Sequence, residues 1–182
     1  MFDLKVLMFA ISISLFAITA IGQTQSKPYE NSYFGYLDEV DAEDIKDGDT
    51  PTIEIRMFGI DAPESNQLCE NSDGACYACG KRSERYLSGL LAHEEATYWF
   101  TGESTYGRPV ATIIADGRDV NLEMIRQGHA IVYERFIEDA DMKKTYLDAQ
   151  KEAQSKKRGI WQGTFINPSD WRGGERLSCE TE

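Results

Sequence analysis

The order of β-rich and helix-period segments is the feature that most limits the folds open to this chain. Turn signals such as Asp116-Gly117 and the run at 46–51 separate short β-rich stretches from stretches with helical apolar spacing. Short strands come first, then a helix, further strands and two helices, an order that favours an α+β fold with a small curled antiparallel barrel. The predicted strands are Tyr33–Ile45, Thr52–Phe58, Ala96–Thr101, Val110–Ala115 and His129–Tyr133, and the predicted helices are Lys81–Leu91, Val120–Gln127 and Glu138–Arg158.

Residues 1–22 stand apart from this pattern. An apolar stretch from Val6 to Ile21 follows Lys5 and is followed at once by small and polar residues. Because the stretch is short for a membrane span, we interpret residues 1–22 as a signal peptide, with an uncleaved membrane anchor as the alternative. Residues 23–32 are then expected to form a flexible N-terminus, and residues 33–182 one domain with a C-terminal covering segment. The sequence thus predicts a secreted or periplasmic monomer without stable membrane association.

Four cysteines lie beyond the apolar stretch, at Cys69, Cys76, Cys79 and Cys179. An even number of cysteines in an exported chain indicates two disulfides, for which three pairings are possible. A zinc site is the alternative, because Cys76 and Cys79 have the spacing of metal ligands. Cys69 and Cys179 complete no second pair of that kind, and an oxidising compartment favours disulfides.

The formal net charge of −12 opposes general binding of polyanions such as nucleic acids. A chain of this charge can bind a polyanion if its basic residues gather at one cleft and a cation joins them. The acidic excess is then expected on the opposite surface.

The stretch from Arg56 to Glu64, with the sequence RMFGIDAPE, carries the most chemical information. Asp61 follows Arg56 by five residues, Glu64 follows Asp61 by three, and Pro63 between the two carboxylates stiffens the loop. Two carboxylates can share a hard cation and a water, and a facing arginine can hold a phosphate through two parallel hydrogen bonds. A cation, a base and a guanidinium are the minimum set for phosphodiester hydrolysis, while a solvated turn with a salt bridge is the alternative.

This stretch resembles the first signature of staphylococcal nuclease-like (thermonuclease) domains. Further motifs of that family follow in order, at Tyr106–Ala111, Ala115–Gly117, Val120-Asn121 and Ile125–Gly128, and the resemblance covers about residues 34–162. The resemblance implies a five-stranded OB-like β-barrel with about three helices and a calcium (Ca²⁺) cofactor. It also implies hydrolysis of DNA and RNA by in-line attack of water, with cleavage of the P–O5′ bond.

The resemblance assigns a role to each signature residue. Arg56 and Arg108 match the arginines that hold the phosphate and neutralise the charge of the transition state. Glu64 matches the carboxylate that activates the attacking water. Asp61 matches a calcium ligand, with the backbone carbonyl of Ala62 as a second ligand.

The metal ligand expected from the first strand departs from the family pattern. The run 47–50, with the family's sequence DGDT, lies too close to Arg56 to leave room for a strand, a turn and a return strand. We therefore interpret 47–50 as a hairpin turn, which leaves Glu43 or Asp44 as the ligand. A catalytically inactive barrel used as a binding module is the alternative function, favoured by this departure and by the net charge.

The segments 65–80 and Pro168–Arg172 resemble an exported bacterial branch of the family. That resemblance implies that Cys69 pairs with Cys79 and that Cys76 pairs with Cys179.

Overall fold

A computed structural model describes residues 45–47, 50–51, 53–92 and 95–181 of the chain. The strands are β1 (Ile45–Asp47), β2 (Thr50–Pro51), β3 (Arg56–Met57), β4 (Ile60–Asp61), β5 (Cys69–Glu70), β6 (Cys76–Tyr77), β7 (Ala96–Thr105), β8 (Arg108–Ala115), β9 (Arg118–Asp119) and β10 (Ile131–Val132). The α-helices are α1 (Cys79–Leu91), α2 (Val120–Arg126), α3 (Ala140–Ser155) and α4 (Pro168–Arg172). Short 3-10 turns cover Glu134–Phe136, Gly159–Gln162 and Ser178–Glu180.

Strands β1 and β2 form an antiparallel hairpin in which Asp47 pairs with Thr50. The pairing confirms a hairpin at this place, and its connecting residues, 48–49, lie outside the described residues. The predicted signal peptide, the flexible N-terminus and nearly all of the first predicted strand lie outside the described residues. Of the described part of the next predicted strand, 53–58, only Arg56–Met57 takes part in a sheet.

The largest sheet is built on β7 and β8, which pair antiparallel from Ala96↔Ala115 to Thr105↔Arg108. Strand β3 runs parallel to β8, and β9 pairs with the end of β8 after the Asp116-Gly117 turn. Strands β4 and β10 form a separate antiparallel pair. Across the described residues these strands do not close into a barrel. The α+β class is therefore confirmed, whereas the closed five-stranded barrel stays a prediction.

Helix boundaries follow the signals in the sequence. The Asp119 side chain caps α2 by accepting a hydrogen bond from the Leu122 amide at 2.9 Å, and Gly128 ends the helix with a φ of 70°. Helix α4 begins at Pro168, a residue favoured in the first turn. This five-residue helix was expected only as covering chain, so the described residues hold four α-helices rather than about three. None of the helices within these ranges has the length and apolarity needed to cross a membrane.

The main core lies between the large sheet and helices α2 and α3. Its buried members are Phe58, Ile60, Val110, Met124, Ile125, Ala130, Ile137, Tyr146 and Ala149. Asn121 is buried beside them and joins two strands, because its amide donates to the Phe58 carbonyl at 2.9 Å and accepts from the Ile113 amide at 3.1 Å. The core therefore fixes the backbone at the turn that leads into β4, the short strand that ends with Asp61.

Gly59 shows why that loop starts with a glycine. Its φ is 70°, and an added Cβ would lie 3.0 Å from Ile137 Cδ1 and 3.3 Å from the Tyr146 ring. A side chain here would strain the backbone and crowd the core. Gly59 thus lets the chain turn from β3 into β4 while packed against α3.

Candidate active site

The loop after β4 is held in place by Gln67, a fully buried polar residue. The Glu64 amide donates to the Gln67 side chain at 3.1 Å, and the Gln67 amide donates back to the Glu64 carbonyl at 2.8 Å. The Gln67 side chain also donates to the Ile166 carbonyl at 2.6 Å. These bonds fix Glu64 relative to both the loop and the C-terminal part of the chain.

Asp61 is the centre of a cluster of charged side chains. Only 5% of its surface is exposed, and a nitrogen of Arg56 lies 3.8 Å from its Oδ1. Arg172 donates to both of its oxygens, from Nη1 to Oδ1 at 3.1 Å and from Nη2 to Oδ2 at 2.8 Å. Arg172 Nη1 also donates to Glu64 Oε1 at 2.8 Å. Three of the residues predicted from the sequence therefore belong to one cluster. Asp61 and Glu64 share the guanidinium of Arg172, which sequence reasoning did not assign to the site, and Arg56 joins the cluster through Asp61.

The charge of Arg172 is secured by these contacts. Its hydrogen bonds with Asp61 raise its pKa above the ordinary value, against the opposing effect of partial burial, and Glu64 adds to the rise. The guanidinium is therefore a permanent cation between two carboxylates.

Arg108 lies at the start of β8, on the strand next to Arg56. Arg56 pairs with Val110, and Arg108 stands two residues before Val110, so the two arginines belong to the same face of the sheet. The contact seen for the Arg108 guanidinium is with Glu54, at 4.0 Å. The backbone thus brings the two predicted arginines together, whereas Arg108 does not join the Asp61 cluster through a direct contact among those described.

The proposed metal ligands fall into two groups. Asp61 and Ala62 are in place on the loop, while Glu43 and Asp44 lie outside the described residues. The carboxylates of Asp61 and Glu64 supply hard oxygen donors, so their chemistry fits a calcium ion. Both oxygens of Asp61 and Oε1 of Glu64 accept hydrogen bonds from Arg172.

A cavity of about 300 Å³ opens beside this cluster. Arg56, Arg135 and Arg172 line it, and Glu103 is the one acid among the lining residues described. Its aromatic lining consists of Phe58, Tyr106, Tyr133 and Phe136. Despite the net charge of −12, the described residues therefore form a concave surface rich in guanidinium groups and rings, the combination that suits single-stranded nucleic acid.

Tyr106 and Phe136 present rings to solvent at the mouth of this cavity. Tyr106 is 91% exposed and adopts a φ of 53°, which is uncommon for a residue other than glycine. Phe136 is 46% exposed, with its ring centre 5.7 Å from that of Tyr133 and the Arg135 guanidinium 5.5 Å away. The two rings are available to contact a bound molecule.

Residues 163–181, here called the C-terminal strap, pack against the loop that bears Glu64. Disulfides join Cys69 to Cys79 and Cys76 to Cys179, so both implied pairings are confirmed and the zinc alternative is wrong. The Glu70 amide donates to the Thr164 carbonyl at 2.8 Å. The strap is therefore joined to the chain that follows the Glu64 loop by a disulfide and by a backbone hydrogen bond.

Glu180 anchors the far end of the strap. Its carboxylate accepts from the Leu68 amide at 3.0 Å, the Leu177 amide at 3.0 Å and Trp171 Nε1 at 2.8 Å. Burial acts to raise the pKa of Glu180, but these hydrogen bonds outweigh it and the pKa lies below the ordinary value. Trp171 and its neighbour Arg172 are positioned in this way.

Residues 54–163 match the family described as staphylococcal nuclease homologue. The chain belongs to this family. A protein of Haemophilus influenzae named "Uncharacterized endonuclease" is 34% identical over 74% of this chain and 72% of its own length. The "Succinoglycan biosynthesis protein ExoI" of Rhizobium meliloti is 40% identical over 64% of this chain and 61% of its own length. An Escherichia coli O157:H7 protein, also named "Uncharacterized endonuclease", is 31% identical over 70% of this chain and 80% of its own length.

Membership of the staphylococcal nuclease homologue family accounts for the α+β class, since the family has an OB-type fold. Arg172 lies beyond the matched residues. The sequence placed it in the covering segment and in a motif, Pro168–Arg172, that resembles an exported bacterial branch, and gave it no role in the site. The sequence did hold a signal: Cys179 ties the strap to Cys76, close to the loop that carries the carboxylates.

Proposed function

We propose that the protein is a secreted, calcium-dependent nuclease that hydrolyses phosphodiester bonds of DNA and RNA. The observation that carries the proposal is the meeting of Arg56, Asp61 and Glu64 beside a cavity lined by arginines and aromatic rings. Membership of the nuclease family and the endonuclease names of two relatives support hydrolysis of nucleic acid as the reaction.

Glu64 is proposed as the base. Its carboxylate is partly exposed, so it can accept a proton from a water that attacks phosphorus. The bond from phosphorus to the 5′ oxygen breaks at the same time, and the leaving oxygen takes a proton from solvent. Arg56 and Arg108 are proposed to donate hydrogen bonds to the non-bridging oxygens, whose negative charge grows during attack.

Asp61, the Ala62 carbonyl and either Glu43 or Asp44 are proposed to hold the calcium ion. When bound, such an ion supplies positive charge beside the scissile phosphate. The depth of Asp61 in the fold serves this role, because a buried carboxylate on a fixed loop has little freedom to turn away.

Phe136, Tyr133 and Arg135 are proposed to contact the bases and the backbone on one side of the scissile bond. Rings stack on bases of any sequence, and guanidinium groups pair with phosphates. This lining therefore suits a substrate with little sequence preference.

Export is supported by the predicted signal peptide, residues 1–22, and by the two disulfides. We propose that the mature protein acts as a monomer in the periplasm or the medium.

One observation favours a second candidate function, an inactive barrel that binds a partner. Arg172 covers both carboxylates and could leave them without a catalytic role. The two candidates differ in whether the purified chain degrades nucleic acid.

The test is digestion of single-stranded DNA by residues 23–182, with calcium and with a chelator. We expect digestion only with calcium and a loss of rate on the order of 10³ for Glu64→Gln. Glu138→Gln, a change at an exposed site before α3, is the matched control and should retain the rate. Digestion by Glu64→Gln at the control rate would remove Glu64 from the mechanism, and no digestion by the unaltered chain would favour the binding module.

A further inference from the structure

Arg172 donates hydrogen bonds both to Asp61, the carboxylate proposed to bind the ion, and to Glu64, the proposed base. Its Nη1 lies 3.1 Å from Asp61 Oδ1 and 2.8 Å from Glu64 Oε1, and its Nη2 lies 2.8 Å from Asp61 Oδ2. We propose that Arg172 is an internal cation that competes with a divalent ion for Asp61 and pairs with Glu64 until the ion displaces it. The proposal rests on the calcium dependence proposed above.

The geometry makes sharing difficult. Calcium binds carboxylate oxygens at about 2.3–2.6 Å and requires several of them at once. The two N–H groups of Arg172 already point at both oxygens of Asp61 in a parallel fork, the strongest arrangement a guanidinium can make with a carboxylate. A divalent ion at the same oxygens would also repel the guanidinium. Ion binding therefore favours a conformation in which Arg172 has left Asp61.

The strap holds the backbone of Arg172 in place, and hydrogen bonds to the two carboxylates hold its side chain. Trp171 is fixed through Glu180, the guanidinium of Arg176 lies 3.8 Å from the Trp171 ring centre, and Pro168 is buried. The Arg172 side chain is itself 39% exposed. Release thus needs a change of side-chain rotamer, and the strap can stay attached.

This arrangement has a consequence for the protein without metal. Arg172 offsets one of the two negative charges of Asp61 and Glu64, and Arg56 lies 3.8 Å from Asp61 as a second cation, so the two carboxylates can stay close together before an ion arrives. The same contact lowers the apparent affinity for the ion, because only the fraction of molecules with Arg172 turned away is ready to bind it. Arg172 would thereby set the calcium concentration at which the site fills.

The first experiment is calorimetric titration of calcium into residues 23–182, in the unaltered chain, in Arg172→Gln and in Arg85→Gln. Arg85 is an exposed arginine on α1 that donates to the Lys81 carbonyl at 3.2 Å, so its change is the matched control. We expect the dissociation constant to fall about tenfold in Arg172→Gln, as when Arg172 is engaged roughly nine-tenths of the time, and to stay unchanged in Arg85→Gln.

An unchanged or weaker affinity in Arg172→Gln would overturn the competition while leaving calcium binding by the unaltered chain intact. Weaker binding would instead make Arg172 a residue that orders the ligands. If none of the three proteins binds calcium, the competition and the calcium dependence of the proposed function are both wrong.

The second experiment needs no catalysis and compares thermal unfolding in chelator and in calcium. In chelator, Arg172→Gln should unfold at a lower temperature than the unaltered chain, because two neighbouring carboxylates have lost their counter-charge. Calcium should raise its unfolding temperature by more than it raises that of the unaltered chain. Equal calcium shifts in the two proteins would contradict the proposal.

Arg172→Lys, which keeps the charge but not the fork, should give intermediate values in both experiments and replaces Arg172→Gln if the latter does not fold.

Discussion

Gly80, in the first turn of α1, lies directly against the backbone carbonyl of Glu64. An added Cβ at residue 80 would overlap that carbonyl. The helix cannot easily move away, since the Gly80 amide donates to the Gln67 carbonyl at 3.2 Å and Cys79 is joined to Cys69. The N-terminal turn of α1 therefore packs directly against the loop that carries the candidate base, Glu64.

Gly80→Ala is expected to lower the free energy of unfolding by about 1–3 kcal/mol, the range for a side chain forced into a packed site. Displacement of Glu64 should also lower the rate of DNA cleavage. Gly89→Ala in the same helix is the matched control. Nothing lies within 4 Å of the Cβ it would add, so the better helix propensity of alanine should raise stability by about 0.5–1 kcal/mol. Urea denaturation of both variants measures the difference, and similar values would show that the loop yields to the new methyl group.

The extent to which sequence predicts this site depends on the range of the contacts. Asp61 and Glu64 share a short motif whose role is implied by the resemblance to the nuclease family, since the residue types alone left a solvated turn open. The hairpin around 47–50 followed from turn composition and spacing. Arg172 contacts Asp61 across 111 positions of the chain, and no local pattern reports such a contact. The predicted strand 52–58 was too long because alternation of residue types predicts an extended backbone but not its pairing partner.

Arg56→Lys should reduce kcat/KM for single-stranded DNA by roughly 10²-fold, because lysine cannot make two parallel hydrogen bonds to a phosphate. Arg118→Lys is the matched control, since Arg118 is exposed and pairs with Asp116 at 3.3 Å in a surface turn. Steady-state kinetics on one oligonucleotide measures both variants. If kcat/KM changes equally in the two variants, Arg56 contributes only its positive charge, which lysine retains.

Phe136→Ala should raise KM by about tenfold and leave kcat nearly unchanged, as expected when one base loses an aromatic stacking partner. Tyr98→Ala removes another exposed ring, 42% accessible, from β7 and should change neither constant. A fall in kcat with constant KM for Phe136→Ala would instead place the ring's effect in the transition state.

Glu180 makes the strap sensitive to acid. Because its folded-state pKa lies below the ordinary value of 4.5, its contribution to stability is fully present above that value and is lost as the pH falls through the folded-state pKa. Protonation weakens the hydrogen bonds from Leu68, Leu177 and Trp171, so the strap should loosen before the core unfolds.

Amide hydrogen exchange at Leu68 and Leu177, measured from pH 6 down to about pH 3 and corrected for the intrinsic pH dependence of exchange, reports this opening. In Glu180→Gln the corrected protection at both amides should be low throughout and nearly independent of pH, whereas Glu175→Gln should follow the unaltered chain. If the corrected protection falls between pH 6 and about pH 3 by as much in Glu180→Gln as in the unaltered chain, the acid sensitivity belongs to another group.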